Sequence, residues 1–431
     1  MSIRNDLPPT GADAATDEAN RRAVELICAA EPVLVGVRAA RDVMEGLDER
    51  TVLTSGPPLP WEEYTGGQRT AVIGGALYEG LAADAEQADA RLRSGEIRVA
   101  GCQDYGCVGS LAGVTTASMP VLVVEDARSG SRGYCTLFEG KSPARLNYGV
   151  YNAEVRETLQ YLEHVVAPLL ADAVDRAGGV PLWPIIRRAL HMGDELHSRN
   201  TAGTLLFTRE LFPHLVALAR EGRQEVDEVV DYMTSGDYFF LRASMAASKA
   251  TMDAARDVAG STVVRAMALS CKEFGIRVAG LGDEWFRGPL PEMESGSLFP
   301  GHTVEDIEFM GGESPITESA GLGGFAQAAA FPLQAWQGGT PERMVEMNLE
   351  MYEITVAEHT HYKIPFLGYR GVPVGIDVRR VVETGIAPVM DIGIAGRGGG
   401  QIGAGAFRAP MECFTAALDA LARRAGAPSP A

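Results

Sequence analysis

Residues 311–331 read GGESPITESAGLGGFAQAAAF. Thr317 and Glu318 stand just before Gly321, Gly323 and Gly324, and the Ala-rich run that follows predicts a helix over 325–337. Glycines let a backbone approach a neighbour closely, and a helix N-terminus offers unpaired N–H groups to negative charge. The stretch therefore reads as a loop presented to a small anionic ligand, with the rest of the chain as its scaffold. The plainer alternative is a set of tight turns between packed elements.

On the N-terminal side of that loop, residues 152–278 carry helical periodicity. Helices are predicted over 155–177, 182–192, 200–219, 226–234, 239–258 and 261–274. Before them, strands at 32–37, 51–53, 97–100 and 119–125 alternate with helices at 18–30, 70–81 and 84–92. Such alternation argues α/β for the first third. No GxGxxG follows a strand there, so a dinucleotide fingerprint is missing. On the C-terminal side, Thr340 and Pro341 suit the N-cap and first turn of a helix over 341–357. Strands are predicted at 372–376 and 388–394, a glycine loop (RGGGQIGAG) at 397–405, and a closing helix at 409–425. The fold class is α+β and multi-domain. A flexible tail (1–20) precedes an α/β portion (21–150), a mainly helical domain (151–280) and a glycine-rich α/β domain (281–431).

A chain of 431 residues with 46% hydrophobic residues suits a globular protein of more than one core. The net charge of −19 argues against a nucleic-acid partner, because phosphate backbones need clustered Lys and Arg. It does not argue against small anions, which local Arg side chains and backbone N–H groups hold. The N-terminus has no apolar signal core, and no run of about 18 apolar residues predicts a membrane span. Cys28, Cys102, Cys107, Cys135, Cys271 and Cys413 are scattered, as in a reduced cytoplasmic protein. Cys102 and Cys107 lack zinc-pair spacing, so no metal and no cofactor is expected.

Several polar clusters carry candidate chemistry. HMGDELHSRN (191–200) places His191, Asp194, Glu195, His197 and Asn200 in one short segment. It reads either as a ligand-facing helix end or as a structural hydrogen-bond network, and it lacks the HExxH zinc pattern. Lys249 sits in a small, apolar helix, where it is an anion anchor, a catalytic amine, or a side chain that snorkels to solvent. Arg277 precedes a glycine turn, as a bidentate anchor or half of an ion pair. Arg379, Asp391, Arg397 and Gln401 lie among the glycines of 375–405, where 397–400 has the composition of an anion-binding nest. Ser110, Thr115, Thr116 and Ser118 either donate to a ligand or satisfy local backbone.

Long blocks of the sequence resemble the AllG/YlbE-like family. They are CVGSLAGVTTASMPVLVVED, LHMGDELHSRNTAGTLLF, DYFFLRASMAASKATMDAA, EFGIRVAGLG, ITESAGLGGFAQAAA, GTPERMVEMNLEMYEIT, GVPVGIDVRRVVETGIAPVMDIGIA and GGGQIGAGAFRAPMECF. The likeness runs from about residue 24 to residue 420. It implies an α+β fold and a subunit of oxamate carbamoyltransferase, which works with FdrA-like and AllH-like subunits. That complex converts oxalurate and phosphate to oxamate and carbamoyl phosphate. The motif positions matched here are His191, Asn200, Lys249, Glu273, Arg277, Glu318, Arg379, Asp391 and Gln401. The segment GCQDYGC (101–107) departs from the His-containing version expected in the family, which puts an identical substrate in doubt.

For carbamoyl transfer, Gly321, Gly323, Gly324 and Arg277 are expected to hold one anion, and Arg379 or Arg397 the other. Thr317, Asn200, Lys249, Asp391 and Gln401 complete the binding set. Glu318 or His191 would move the proton as the catalytic residue. The ligands implied are phosphate or carbamoyl phosphate and an oxamate-like acid, with a homodimer or hetero-oligomer as the assembly. Two other functions fit the same residues: a non-catalytic partner subunit, and a stand-alone amide or ureido hydrolase or lyase.

Overall fold

The helix Phe239–Asp253 lies at the centre of the computed structural model, which describes residues 2–3 and 14–426. Every residue from Phe239 to Met252 is buried. The sequence FFLRASMAASKATMD permits this because Ala243, Ser244, Ala246, Ala247, Ser248 and Ala250 are small enough for sheets to approach the helix. Gly133 marks the tightest approach, since a Cβ there would lie 2.1 Å from the Ala246 carbonyl oxygen. At its N-terminal end, Phe239 and Phe240 pack on Phe207 with ring centroids 6.3 and 5.8 Å apart. Burying each such ring contributes about 1.5–3 kcal/mol.

A four-stranded sheet lies against this helix, ordered Arg132–Thr136, Pro120–Asp126, Pro32–Ala39, Val180–Pro181. All its pairings are antiparallel. This corrects the α/β expectation for the first third. Pro32–Ala39 pairs with Pro120–Asp126 rather than with the next strand, and the intervening Thr51–Thr54 and Arg98–Gly101 form a separate sheet, the one parallel pair among the described strands. The helices of the middle segment, Ala167–Ala177 and Thr201–Arg220 among them, share one large apolar core with the helix Phe239–Asp253. A second core joins the C-terminal sheets to the helix Met411–Gly426.

Helices and sheets together bear out the α+β class. Several element boundaries differ from expectation. Residues 261–274 form no helix but an antiparallel pair, Val264–Leu269 with Phe274–Val278. Every residue of both strands is buried, and a short apolar run cannot separate buried strand from buried helix by period. Residues 325–337 form a chain of 3₁₀ turns that ends in the short helix Gln334–Gln337. Asn348 explains part of this: its Oδ1 accepts from Ala328 N–H at 3.0 Å and its Nδ2 donates to the Phe325 carbonyl at 2.8 Å. Those backbone groups are thereby diverted from a helix ladder. The helix Pro341–Glu353 is shorter than expected because the alternating run TVAEHTHYKI leaves as the strand Thr355–Ile364. The glycines of 397–405 lead into the strand Gln401–Arg408, paired with Val389–Ala395.

At the N-terminus the first helix begins at Ala14, earlier than position 18, and Asn20 is buried against Thr262 and Asp377. Of the tail expected over 1–20, Ser2–Ile3 pairs as a short strand with Ala357 and Glu358, and residues 1 and 4–13 lie outside the described residues. No helix among the described residues is long and apolar enough to cross a membrane.

Candidate functional site

The loop after the helix Trp183–His191 and the turn of 316–324 meet through a side-chain and a backbone hydrogen bond. Nδ1 of His197 lies 2.7 Å from Oε1 of Glu318, and both side chains are buried. The loop is shaped by Glu195, whose carboxylate accepts from the backbone N–H groups of His197 (2.8 Å), Ser198 and Arg199 (3.1 Å). Gly193 (φ +97°) turns the chain before it, and the Gly323 N–H donates back to the Glu195 carbonyl at 2.8 Å.

Glu318 is the anion that the glycine stretch holds. Its Oε1 accepts from the N–H groups of Gly324 (3.1 Å) and Asp391 (3.0 Å), and its Oε2 from the Thr317 hydroxyl (2.9 Å). Gly323 has φ +56°, and a Cβ there would lie 2.1 Å from Glu318 Oε1. Gly324 makes a similar approach to the Val389 carbonyl oxygen, at 2.3 Å. Gly321 packs on Pro373. The glycines thus seat a carboxylate and a neighbouring strand, and no long helix follows them. The helix N-terminus imagined for a ligand is not formed.

Asp391 stands beside this pair. Its Oδ1 accepts from the side-chain amides of Gln327 and Gln337, while Oδ2 is buried without a protein partner. Burial, and then the Glu318 charge, push its carboxyl up to about 7. Burial followed by Asp391 also raises Glu195 well above the usual carboxylate range. Burial raises Asp194 to about 7. Buried carboxyls set close together cannot all ionise at once, so burial and mutual repulsion keep Glu195 and Asp391 protonated to higher pH than usual.

His197 also lines a pocket together with Ser110, Ser198, Ser314, Arg145, Arg242 and Tyr148. Arg242 comes from the central helix, where it is 2% exposed, and its Nε and Nη1 are buried without a protein partner. Arg145 stacks on the Tyr148 ring at 3.9 Å and donates to the Gly140 carbonyl at 3.3 Å, while its Nε is left unpartnered. Guanidinium nitrogens buried without partners are costly, and a bound anion would satisfy them. Glu313 braces one wall. Its two oxygens accept from Gly56 N–H (3.3 Å) and Gly109 N–H (3.0 Å), and burial raises its carboxyl to about 8.

The candidates named from sequence fall into two groups. Glu318, Thr317, Asp391, Gly323, Gly324 and Asn200 gather around His197. Asn200 donates from Nδ2 to the His197 carbonyl at 2.8 Å. Gln401 lines the pocket and accepts from the Tyr148 hydroxyl at 3.2 Å. The other group is engaged elsewhere. His191 is exposed and packs edge-on against Tyr369. Arg277 pairs with Asp104 and stacks on Trp285. Lys249 does not snorkel: it is buried and pairs with Asp253 at 2.7 Å, and burial lowers its pKa. Arg379 pairs with Asp377 and Asp17 at 2.8 and 2.7 Å. Arg397 is exposed, its N–H bonded to the Asp306 carbonyl. The residues that sequence reasoning did not single out are Arg242, Arg145 and His197 as the member of its cluster that reaches the pocket. Arg242 carried the same signal as Lys249, a cation inside a small, apolar helix.

A family model and one relative carry the same name. A family model described as "Oxamate carbamoyltransferase subunit AllG" matches residues 97–314, a span that holds Arg145, His197 and Arg242. Oxamate carbamoyltransferase subunit AllG of Escherichia coli (strain K12) is 39% identical over 414 residues, 95% of this chain and 98% of that protein. Uncharacterized protein YahG of the same organism is 40% identical over 402 residues, 93% of this chain and 84% of that protein. The crystal structure of a conserved protein of unknown function from Enterococcus faecalis V583 superimposes with a TM-score of 0.91 at 39% identity. It covers 95% of this chain and 98% of that one.

Proposed function

The chain belongs to the AllG family, and on that premise we propose that it is a subunit of a carbamoyltransferase acting on a small oxamate-like acid. Its substrate pocket is the one walled by Arg145, Arg242 and His197. The observation that carries this reading is Arg242, a buried guanidinium with two unpartnered nitrogens beside a buried His–Glu pair. Arg242 and Arg145 hold the phosphate or carboxylate, with the hydroxyls of Ser110, Ser198 and Ser314 as further donors.

In the phosphorolytic direction a phosphate oxygen attacks the ureido carbonyl carbon. A new C–O bond forms, the bond from that carbon to the amide nitrogen of the acid breaks, and carbamoyl phosphate and the free amide leave. The departing nitrogen needs a proton. His197, oriented by Glu318, delivers it through the ring nitrogen not bonded to Glu318, and takes it back in the reverse direction. Asp391 stores charge and proton next to Glu318. Partners of the FdrA-like and AllH-like kinds complete the assembly. The unpaired, buried cysteines fit a cytoplasmic setting.

The test is to assay the purified chain alone and with those partners, following carbamoyl phosphate formed from oxalurate and phosphate. Phosphate-dependent product from the assembled subunits supports the reading. Oxalurate breakdown by the lone chain without phosphate would replace it with a hydrolase or lyase.

A further inference from the structure

A second, more open cavity adjoins the inner pocket, and Phe138, Arg145, Ser198, Tyr238 and Gln401 line both. Gln401 forms part of the partition, its amide held by the Tyr148 hydroxyl at 3.2 Å and the Gly403 carbonyl at 3.1 Å. The outer cavity differs in chemistry from the inner one. Its far wall is aromatic: Trp336 meets Phe299 with ring centroids 4.9 Å apart and Tyr238 at 6.5 Å. The indole Nε1 of Trp336 is buried without a protein partner. Lys141 and Arg199 add positive charge, with Asp237 the acid among the lining residues. Arg145, 9% exposed with Nε unpartnered, stands at the junction and is available to both cavities.

From this we infer that the two substrates occupy separate compartments: the tetrahedral phosphate sits inside, and a planar, conjugated amide acid of the oxamate class sits outside against Trp336 and Lys141. The inference rests on the reading of the inner pocket given under Proposed function. A phosphate presents several oxygens in a tetrahedron and suits converging hydroxyls and guanidinium groups. A flat acid suits aromatic faces and a lysine for the carboxylate, with its amide end turned to the partition at Gln401 and Ser198, on whose inner side His197 lies. Arg145, touching both compartments, stands where the carbamoyl group passes between them.

The experiment is calorimetric titration of the full-length chain with oxamate and, separately, with inorganic phosphate. Trp336→Leu or Lys141→Ala is expected to weaken oxamate binding by about tenfold and leave phosphate binding within about twofold. Arg242→Met is expected to do the reverse. Lys141 is exposed, so its variant remains informative if Trp336→Leu misfolds. Oxamate and phosphate displacing each other from one site, or oxamate affinity unchanged in the Lys141→Ala protein, would overturn the two-compartment assignment. Phosphate binding without any oxamate binding overturns the outer site alone. Binding of neither anion removes the reading of the inner pocket as well.

Discussion

His197 and Glu318 lie 121 positions apart in sequence, yet their side chains meet at 2.7 Å in a buried setting. The contact joins the polar loop of 191–200 to the glycine turn of 316–324 and places one ring nitrogen under the control of a carboxylate. Such a pair orients the imidazole ring and fixes which of its nitrogens faces the pocket.

Replacing that carboxylate should separate chemistry from folding. Glu318→Gln keeps acceptors and donors for Thr317, Gly324 and His197 but removes the charge. Turnover of the assembled enzyme is expected to fall by about 10²–10⁴-fold, as for loss of a general acid–base group. Circular dichroism of the variant should match wild type. Turnover within about twofold of wild type would return the stretch to a packing role.

Gly323 is expected to be intolerant for a positional reason. Gly323→Ala places a methyl against Glu318 Oε1 at a φ of +56°. The strain costs about 1–3 kcal/mol, and the displaced carboxylate releases His197. Denaturant unfolding and turnover should both suffer, whereas Gly385→Ala, also at positive φ (+69°) but in open space, should lose stability alone.

The carboxyl of Asp391 predicts a pH signature. Its folded pKa, about 7, lies above its ordinary value of 3.8, so the folded state binds the extra proton between those limits. Stability from this group is full below about pH 4 and declines as pH rises through about 7, by about 1.4 kcal/mol per pH unit for one proton. Asp391→Asn should flatten that decline relative to wild type in denaturant titrations from pH 4 to pH 8. Parallel profiles for the two proteins would show that Asp391 titrates normally.

Much of the fold was legible, and the parts that were not share a cause. The helix Val226–Thr234 and the strand Val389–Ala395 follow from period and flanking residues. The strand Val264–Leu269 does not, because all its residues are buried and a uniformly apolar run has no alternation to read. The 3₁₀ turns of 323–333 depend on Asn348 and Asp391, partners distant in sequence. The site was half legible for the same reason. Glu318, Thr317, Asn200, Asp391 and Gln401 stood out as polar residues in glycine-rich or loop settings. Choosing His197 over His191 required knowing which side of the loop turns inward at Glu195. Arg277 and Arg379 looked like anion anchors, but their anions are Asp104 and Asp377.

Arg242 offers the most direct test of the account. Its unpartnered Nε and Nη1 carry an unmet desolvation cost of about 1–3 kcal/mol, so Arg242→Met should leave the fold as stable as wild type or more so. The decisive measurement is the phosphate dependence of carbamoyl phosphate formation by the assembled subunits containing this variant. The account predicts a fall in kcat/KM for phosphate of about a hundredfold or more, from loss of a charge-assisted contact at the reacting anion. An unchanged kcat/KM in a well-folded Arg242→Met protein would contradict it.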